Sequence, residues 1–319
     1  MQRQTPTWYW IVLLLFACML PWLLQAIGQD FYISMASRMM IYGIAACSLN
    51  LILGYGGLVS FGHAAFVGIG AYSVGILITE GVPNGWIGFA TAMGISAVAA
   101  AFIGAISLRT RGVYFIMITL AFAQMIYYLV NSIKAYGGDE GLNLKQRSDF
   151  GWGLDLKNDV AFYFFVLFVL VLTLVLISKI MHSRFGRVVL AIRDDDVRVD
   201  ALGFHAYRYK WLLFIISGTL GGLAGALMVN HQNYVSPNLM HWTQSGILMV
   251  MVILGGVGTL TGGLWGAFTL LILEDVAAEY TQYWQFYIGW FLLCVVLLAP
   301  KGLAGLWNRT VKAASGERR

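Results

Sequence analysis

Long apolar stretches follow one another along nearly the whole chain, from Trp8 to Pro300, and only short polar intervals separate them. A helix needs about 20 mostly apolar residues to cross the hydrocarbon core of a bilayer. Helices also satisfy their own backbone hydrogen bonds in lipid, so we predict an all-α, polytopic helical bundle. The pattern predicts about ten transmembrane helices, near 8–28, 32–53, 58–79, 86–108, 112–133, 159–181, 211–231, 243–258, 263–278 and 285–300.

The two longest polar intervals, about 134–158 and about 182–210, have the length of loops and not of domains. We therefore predict that residues 1–319 form a single transmembrane domain. The composition agrees, because 59% of the residues are hydrophobic and 11% are charged, against about 25% charged in an average soluble domain. The first apolar stretch is longer than a signal-peptide core and has no clear cleavage site, so we expect it to remain as the first helix.

Lys and Arg cluster at three places, and these places predict the orientation of the chain. With ten spans, the connection at Arg109 and Arg111, the interval 182–210 and the C-terminal tail all lie on the same side as the N-terminus. Cytoplasmic loops carry the excess of Lys and Arg, so both termini are predicted to be cytoplasmic and the interval 134–158 external. In a bacterium this multi-pass protein would lie in the inner (plasma) membrane. The basic residues of the tail are Lys301, Arg309, Lys312, Arg318 and Arg319.

The net charge of +5 does not indicate nucleic-acid binding, because the basic residues cluster at span ends. Membrane lipid headgroups and topology explain basic residues at such positions. We therefore expect membrane lipid, and no nucleic acid, among the partners of this chain.

Two glycine-rich stretches stand about 201 residues apart, ILGYGGLVSFG from Ile52 and ILGGVGTLTGG from Ile253. One interpretation is an internal repeat, in which matching glycine-interrupted segments indicate broken helices that line the route of a transported solute. Close packing of helices through small residues requires glycine equally, so both interpretations stay open. The candidate hinge or close-packing glycines are Gly54, Gly57, Gly62, Gly255, Gly258 and Gly263.

The chain lacks the motifs that would make it an enzyme by itself. There is no GxxxxGK[ST] phosphate loop, so we predict no ATPase site. No HExxH, CxxC or GxSxG motif and no cluster of intramembrane carboxylates is present, which argues against a membrane enzyme or a proton relay. Cys18, Cys47 and Cys294 fall inside predicted spans and indicate neither disulfides nor a metal site.

A few polar side chains fall within predicted spans, and the translocation path candidates are Ser60, His63, Thr119 and Gln124. A neutral imidazole donates once and accepts once, so we expect His63 to bond a backbone carbonyl freed where glycines interrupt a helix. Direct contact with substrate and a proton-coupling role are the alternatives. Ser60, three residues earlier, is expected on the same helix face. Gln124 suits either a polar substrate or a hydrogen bond between helices.

In the interval 182–210, the segment from Ala191 to Leu202 interleaves apolar residues with Arg and Asp. This pattern predicts one short amphipathic helix closed by Gly203, since glycine is favoured just after a helix. Such a helix lies either on a membrane surface or on a partner protein. Anionic lipid would repel three adjacent Asp residues, so a protein partner is the better interpretation.

Five stretches in one order, over roughly residues 32–305, carry a family resemblance. They are NLILGYGGLVSFGHAAFVGIGAY from Asn50, RGVYFIMITLAFAQM from Arg111, GGDEGL from Gly137, AIRDDDVRVDALGFHAYRYKWLLFIISGTLGGLAGAL from Ala191 and LGGVGTLTGGLWGA from Leu254. Together they resemble the permease subunits of branched-chain amino acid importers of the ATP-binding cassette (ABC) class, the Liv-type or hydrophobic amino acid uptake family. The chain resembles the M-type subunit more than its H-type partner.

The resemblance implies a heteromeric importer. A second permease subunit, two ABC ATPase subunits on the cytoplasmic face and a periplasmic or extracellular solute-binding protein would complete it. ATP and Mg would be bound by the ATPase subunits, so this chain itself would need no cofactor.

The segment from Ala191 to Gly203 resembles the coupling helix that docks on the ATPase subunit. It departs from the general importer pattern of Glu-Ala-Ala before a glycine, because Arg198 to Gly203 read RVDALG. By this resemblance the residues that couple to the ATPase are Arg193, Asp194, Asp195, Asp196, Arg198, Asp200 and Gly203.

The predicted function is therefore a permease subunit that moves branched-chain amino acids, or a related small polar solute, inward. Specificity in this class resides largely in the binding protein, so urea, amides and aromatic acids are alternative substrates. A stand-alone secondary transporter or channel is the alternative of another class. It would require intramembrane ionisable residues, and apart from His63 the predicted spans offer almost none. Asp139 and Glu140 are expected either to meet the binding protein or to be ordinary loop charges.

Overall fold

The structure, a computed structural model, describes residues 7–26, 28, 31–151, 156, 158–298 and 302, and these residues are mostly helical. The helices are α1 (Thr7–Ala26), α2 (Phe31–Asn50), α3 (His63–Thr79), α4 (Gly85–Ser107), α5 (Val113–Ser132), α6 (Asp159–His182), α7 (Arg184–Asp194), α8 (Asp196–Ala201), α9 (Ala206–Gln232), α10 (Trp242–Gly255), α11 (Gly262–Tyr280) and α12 (Trp284–Leu298). Two short strands, β1 (Leu142–Asn143) and β2 (Tyr234–Val235), pair antiparallel with Leu142 opposite Val235.

The all-α membrane fold predicted from the apolar pattern is confirmed. Apart from α7 and α8, each of these helices overlaps one predicted span. The helical stretches that are long and apolar enough to cross a membrane are Phe31–Tyr55, Gly85–Ser107, Val113–Ser132, Asp159–His182 and Ala206–Gln232. Shorter apolar helical segments are Leu14–Gln25 within α1, His63–Thr79, Trp242–Gly255 and Trp284–Val295 within α12. The count of ten crossings and the single domain stay predictions, and the basic tail from Lys301 lies outside the described residues.

Helix α9 is a central packing element, because it packs against α2, α3 and α4. Between α3 and α9, the rings of Phe66 and Phe214 meet edge to face with centroids 5.6 Å apart, a favourable aromatic geometry. Helix α11 packs against both α2 and α10. Large apolar side chains such as Val98 on α4 and Leu129 on α5 are exposed, as expected of surfaces that contact lipid.

The two long polar intervals lie at opposite ends of α6, which spans Asp159–His182. At the end that carries 182–210, Tyr207 Oη donates to Ala105 O at 2.9 Å and Trp211 Nε1 donates to Ala101 O at 2.8 Å. At the other end, Tyr234 Oη donates to Glu140 O at 2.7 Å. The assignment of the 182–210 end to the cytoplasm stays a prediction.

The single amphipathic helix predicted from Ala191 to Leu202 is wrong in its bounds, because the chain forms two helices there, α7 and α8. Helix α7 begins earlier than predicted, since Ser183 caps it by accepting the Gly186 N–H. Asp195 is extended, with φ −160°, and its carboxylate accepts the Arg198 N–H at 3.1 Å, which starts α8. Gly203 follows α8 with φ +89°, a left-handed conformation that favours glycine.

Candidate functional site

The first glycine-rich stretch breaks the helical path between α2 and α3. After Asn50 the chain continues as a π-helical turn, Leu51–Tyr55, and then runs without helix until His63. In this turn Gly56 N–H donates to Leu51 O, five residues back, and the wider spacing shifts the usual helical hydrogen bonds. Gly57 follows with φ +68°, which ends the turn in a left-handed conformation.

The second glycine-rich stretch also has a helix end, then a left-handed glycine, then the start of the next helix. Helix α10 ends at Gly255, Gly258 has φ +76°, and α11 begins at Gly262. The two left-handed glycines, Gly57 and Gly258, thus occupy matching positions of the stretches compared in the sequence. This correspondence supports the internal repeat. Close packing operates as well, because a Cβ atom at Gly263 would lie only 2.7 Å from Cys47 N on α2.

Asn50 joins the two glycine-rich stretches to each other. Its side-chain Nδ2 donates to Thr259 O at 2.6 Å, and its Oδ1 accepts the Gly258 N–H at 2.9 Å. The backbones approach so closely that a Cβ atom at Gly54 would lie 2.7 Å from Gly258 Cα. Asn50 is not among the candidates predicted from the sequence, although an amide directly before a glycine-rich stretch inside an apolar span is a signal for it.

Arg193 connects α7 to the first of these stretches. Its Nη1 donates to Gly54 O at 2.9 Å, while its Nη2 lies 3.4 Å from the Asp194 carboxylate. A Cβ atom at Gly57 would lie 2.7 Å from Arg193 Cγ, so glycine leaves room for the Arg193 side chain. The guanidinium of Arg193 thus contacts the bundle, and the role of Arg193 in coupling to an ATPase subunit stays a prediction.

The acidic run after Arg193 mostly stabilises its own loop. Asp196 forms an ion pair with Lys210, with 2.6 Å between Oδ2 and Nζ. Asp195 pairs with Arg198 at 3.3 Å in addition to capping α8, and Asp200 Oδ1 accepts the Ala206 N–H at 2.9 Å.

The same loop also exposes apolar side chains to its surroundings. The exposed fractions are 68% for Val197, 71% for Leu202 and 42% for Phe204. These side chains give the loop an exposed apolar surface beside the acidic run.

His63 is the first residue of α3 and is fully buried. Its Nε2 lies 2.7 Å from Ser48 Oγ on α2, and the Ser48 hydroxyl donates to Ala45 O at 2.7 Å. Since the hydroxyl has one proton, the imidazole Nε2 donates in the bond with Ser48. The expected partner, a freed backbone carbonyl, is therefore wrong, because α3 begins at His63 and directs its side chain onto α2. His63 Nδ1 has no partner among the described residues.

The other path candidates take different positions. Ser60 is buried, and its Oγ accepts the Gly62 N–H at 3.2 Å. Our expectation that Ser60 shares a helix face with His63 is wrong, because the chain becomes helical only at His63. Thr119 is buried on α5 and its backbone borders Gly62, whereas Gln124 lies further along α5 and is half-buried.

The start of α3 also contacts α10 and borders a small cavity. Ala64 N–H donates to Ser245 Oγ at 2.9 Å, which satisfies one of the unpaired amides at this helix start. The cavity beside Ala64 has Gln244 and Tyr42 as its polar-tipped lining residues. Its aliphatic lining includes Ile41, Ala45, Val67, Ala224, Met228 and Leu248.

At the opposite end of the bundle, the loop with Asp139 and Glu140 exposes both carboxylates. Tyr136 Oη donates to Glu80 Oε1 at 3.2 Å, and the negative Glu80 carboxylate raises the pKa of the Tyr136 phenol. Among the described residues, no group of three or more His, Cys, Asp or Glu side chains is placed to hold a metal ion.

The fold and these contacts define a helical membrane protein in which two glycine-interrupted helix pairs meet beside a polar loop. The chain matches the family model described as the permease component of the branched-chain amino acid transport system over residues 31–299, and it belongs to that family. No solved structure matches the chain.

Curated relatives agree with this assignment. The high-affinity branched-chain amino acid transport system permease protein LivM of Salmonella typhimurium is 27% identical over 308 residues, covering 89% of this chain and 72% of the relative. LivM of Escherichia coli K12 is also 27% identical and covers 92% of this chain and 76% of the relative. The permease protein LivH of Escherichia coli K12 is 24% identical and covers 83% of this chain and 91% of the relative. The predicted resemblance to the M-type subunit is confirmed.

Proposed function

We propose that this chain is a permease subunit of an ABC importer that moves branched-chain amino acids inward across the inner membrane of a bacterium. Family membership over residues 31–299 is the observation that carries the proposal. The relatives described as LivM and LivH are permease proteins of a branched-chain amino acid transport system. Residues 1–319 would act as one transmembrane domain with both termini in the cytoplasm.

The complete importer contains a second permease, two ABC ATPase subunits and a solute-binding protein outside. The occurrence of two permease types, LivM and LivH, among the relatives supports a pair of different permeases. ATP and Mg belong to the ATPase subunits, and this chain contributes no catalytic site.

Helices α7 and α8 form the docking segment for an ATPase subunit. Two observations support this role: the segment lies at the end of the bundle with most of the loop arginines, and its exposed side chains include Val197, Leu202 and Phe204. A protein groove would remove this apolar surface from water, which contributes roughly 25 cal/mol for each Å² buried. Asp195 and Asp196 hold the segment in shape for docking.

The solute passes near the start of α3, where Ser60, His63 and Thr119 are buried. The relatives described as branched-chain amino acid permeases favour a solute with an aliphatic side chain over urea. Short-chain amides and aromatic acids remain alternative substrates of the same importer type. Gln124, half-buried on α5, stays a candidate at the edge of this path.

Purification and transport measurements test the proposal together. A tagged chain is extracted from native membranes in mild detergent, and the bound proteins are identified by mass spectrometry. We expect a second permease and ATPase subunits, and ATP-dependent uptake of leucine or valine once the binding protein is added to proteoliposomes. Recovery of the chain alone, with solute movement that needs no ATP, would contradict the proposal and identify a stand-alone transporter or channel.

A further inference from the structure

Three segments that are far apart in sequence meet at one point, and two polar side chains hold them together. Asn50 at the end of α2 bonds both Gly258 N–H and Thr259 O in the α10–α11 connection. Arg193 from α7 bonds Gly54 O in the π-helical turn at 2.9 Å. We call Asn50, Gly54, Arg193, Gly258 and Thr259 the glycine clamp.

We propose that the glycine clamp transmits movement of α7 to the two broken helix pairs, and that Arg193 is the positioning residue of this joint. The inference rests on the proposed function, which makes α7 and α8 the docking segment for an ATPase subunit. It adds a defined point at which that segment reaches the membrane-spanning helices.

The hydrogen bond of Arg193 is of a kind that can transmit movement of α7 to the glycine clamp. A π-helical turn shifts the regular spacing of backbone hydrogen bonds, and Gly54 O within this turn accepts from a guanidinium. A hydrogen bond from a charged donor is shorter and stronger than one between neutral groups. The Arg193 stem also fits against Gly57, where any side chain would collide with its Cγ atom. Displacement of α7 therefore acts directly on the turn that ends α2.

Asn50 connects the end of α2 to the second helix pair, α10 and α11, so displacement of α7 reaches that pair as well. Its amide both donates to and accepts from the α10–α11 connection, so the Gly258 backbone follows the end of α2. Left-handed glycines stand in both breaks, at Gly57 and Gly258. Hinges of moving helix groups consist of a few residues that absorb large backbone changes. Movement of the glycine clamp therefore changes the backbone at both hinges, Gly57 and Gly258, together.

The test uses the purified permease alone and then the assembled importer. In the permease alone, hydrogen exchange is measured for peptides covering residues 51–58 and 256–261. Arg193→Gln removes the charged donor, Arg193→Lys keeps a cationic donor, and Arg111→Gln removes a charge from an exposed residue outside the clamp. In the importer, the amount of solute taken up per ATP hydrolysed is measured for the same variants.

We expect Arg193→Gln to accelerate exchange in both peptides about tenfold, as loss of a charge-assisted hydrogen bond would do. Uptake per ATP should fall several-fold while ATP hydrolysis continues, with partial rescue in Arg193→Lys and no change in Arg111→Gln. Unchanged exchange in Arg193→Gln, or equal acceleration in Arg111→Gln, would overturn the clamp. Faster exchange with normal uptake per ATP would overturn its transmitting role.

The two proposals are tested separately. Absence of ATPase subunits from the purified wild-type chain would count against the proposed function. The exchange measurement would still decide whether Arg193 holds both glycine-rich breaks, because it needs the permease alone.

Discussion

His63 Nε2 and Ser48 Oγ lie 2.7 Å apart, and this bond joins the first residue of α3 to α2 across the break between the two helices. The backbone oxygen of Ser48 also accepts a hydrogen bond from Ser217 Oγ on α9. These buried polar contacts therefore tie α2, α3 and α9 together where the helical path is interrupted. In an apolar interior each of these hydrogen bonds offsets the cost of burying the polar groups that form it.

Replacement of His63 should lower the stability of the protein. His63→Ala removes the donor to Ser48 Oγ and leaves a space in the core, so we expect a loss of about 1–3 kcal/mol in the free energy of unfolding. The measurement is the thermal unfolding midpoint in detergent. His205→Ala, at an exposed loop position, is the control and should change little.

A double-mutant cycle with Ser48→Ala separates the bond from other effects of the substitution. Residues in contact show interaction energies of about 0.5–3 kcal/mol, so the two substitutions should not be additive. Additive losses would show that the bond does not stabilise the fold. A stable His63→Ala protein with altered substrate preference would instead support direct contact between His63 and the solute.

The sequence predicted the helices well because the apolar length of a membrane span is a local property. It did not predict the partners of His63, since Ser48 was one of several nearby hydroxyl groups and nothing local placed it within reach. The bonds of Asn50 were less accessible still, because Thr259 and Gly258 stand 209 and 208 residues away in the chain. Contacts of that kind depend on the packing of the whole bundle.

The predicted helix from Ala191 to Leu202 illustrates a second limit. Apolar periodicity ran through both α7 and α8, but two capping side chains decided where each helix starts. Ser183 caps α7 and Asp195 caps α8, and a cap contributes about 1 kcal/mol, enough to shift a helix boundary. Periodicity alone could not distinguish a charged helix face from a capping residue.

Asp195→Ala should disturb the docking segment, because it removes the cap of α8. We expect fewer ATPase subunits to co-purify and uptake to fall, whereas Asp195→Asn keeps a side-chain oxygen and should retain most activity. Asp194→Ala is the comparison within the same run, because Asp194 is exposed and caps no helix. Equal losses in all three variants would show that charge, and not capping, determines docking.

Leu202→Ser should weaken ATPase binding without lowering the stability of the permease. Leu202 is 71% exposed, so the substitution removes little from the core, while a docked partner would bury the leucine. Co-purified ATPase and the unfolding midpoint are measured on the same preparation. Full ATPase recovery with Leu202→Ser and with Val197→Ser would place the docking surface elsewhere.

Gly54→Ala should be more damaging than alanine at a helical glycine with open space around it, such as Gly94. An added Cβ at Gly54 would lie 2.7 Å from Gly258 Cα, so the two glycine-rich stretches would have to separate and the bonds of Asn50 would weaken.

Gly94→Ala on α4 is the matched control, because nothing lies within 4 Å of a Cβ there. Alanine is favoured over glycine in a helix by up to about 1 kcal/mol, so Gly94→Ala should be neutral or stabilising. The unfolding midpoints and the exchange of residues 256–261 are measured for both variants. Equal midpoints and unchanged exchange would mean that the close approach of Gly54 and Gly258 contributes nothing to the joint between the helix pairs.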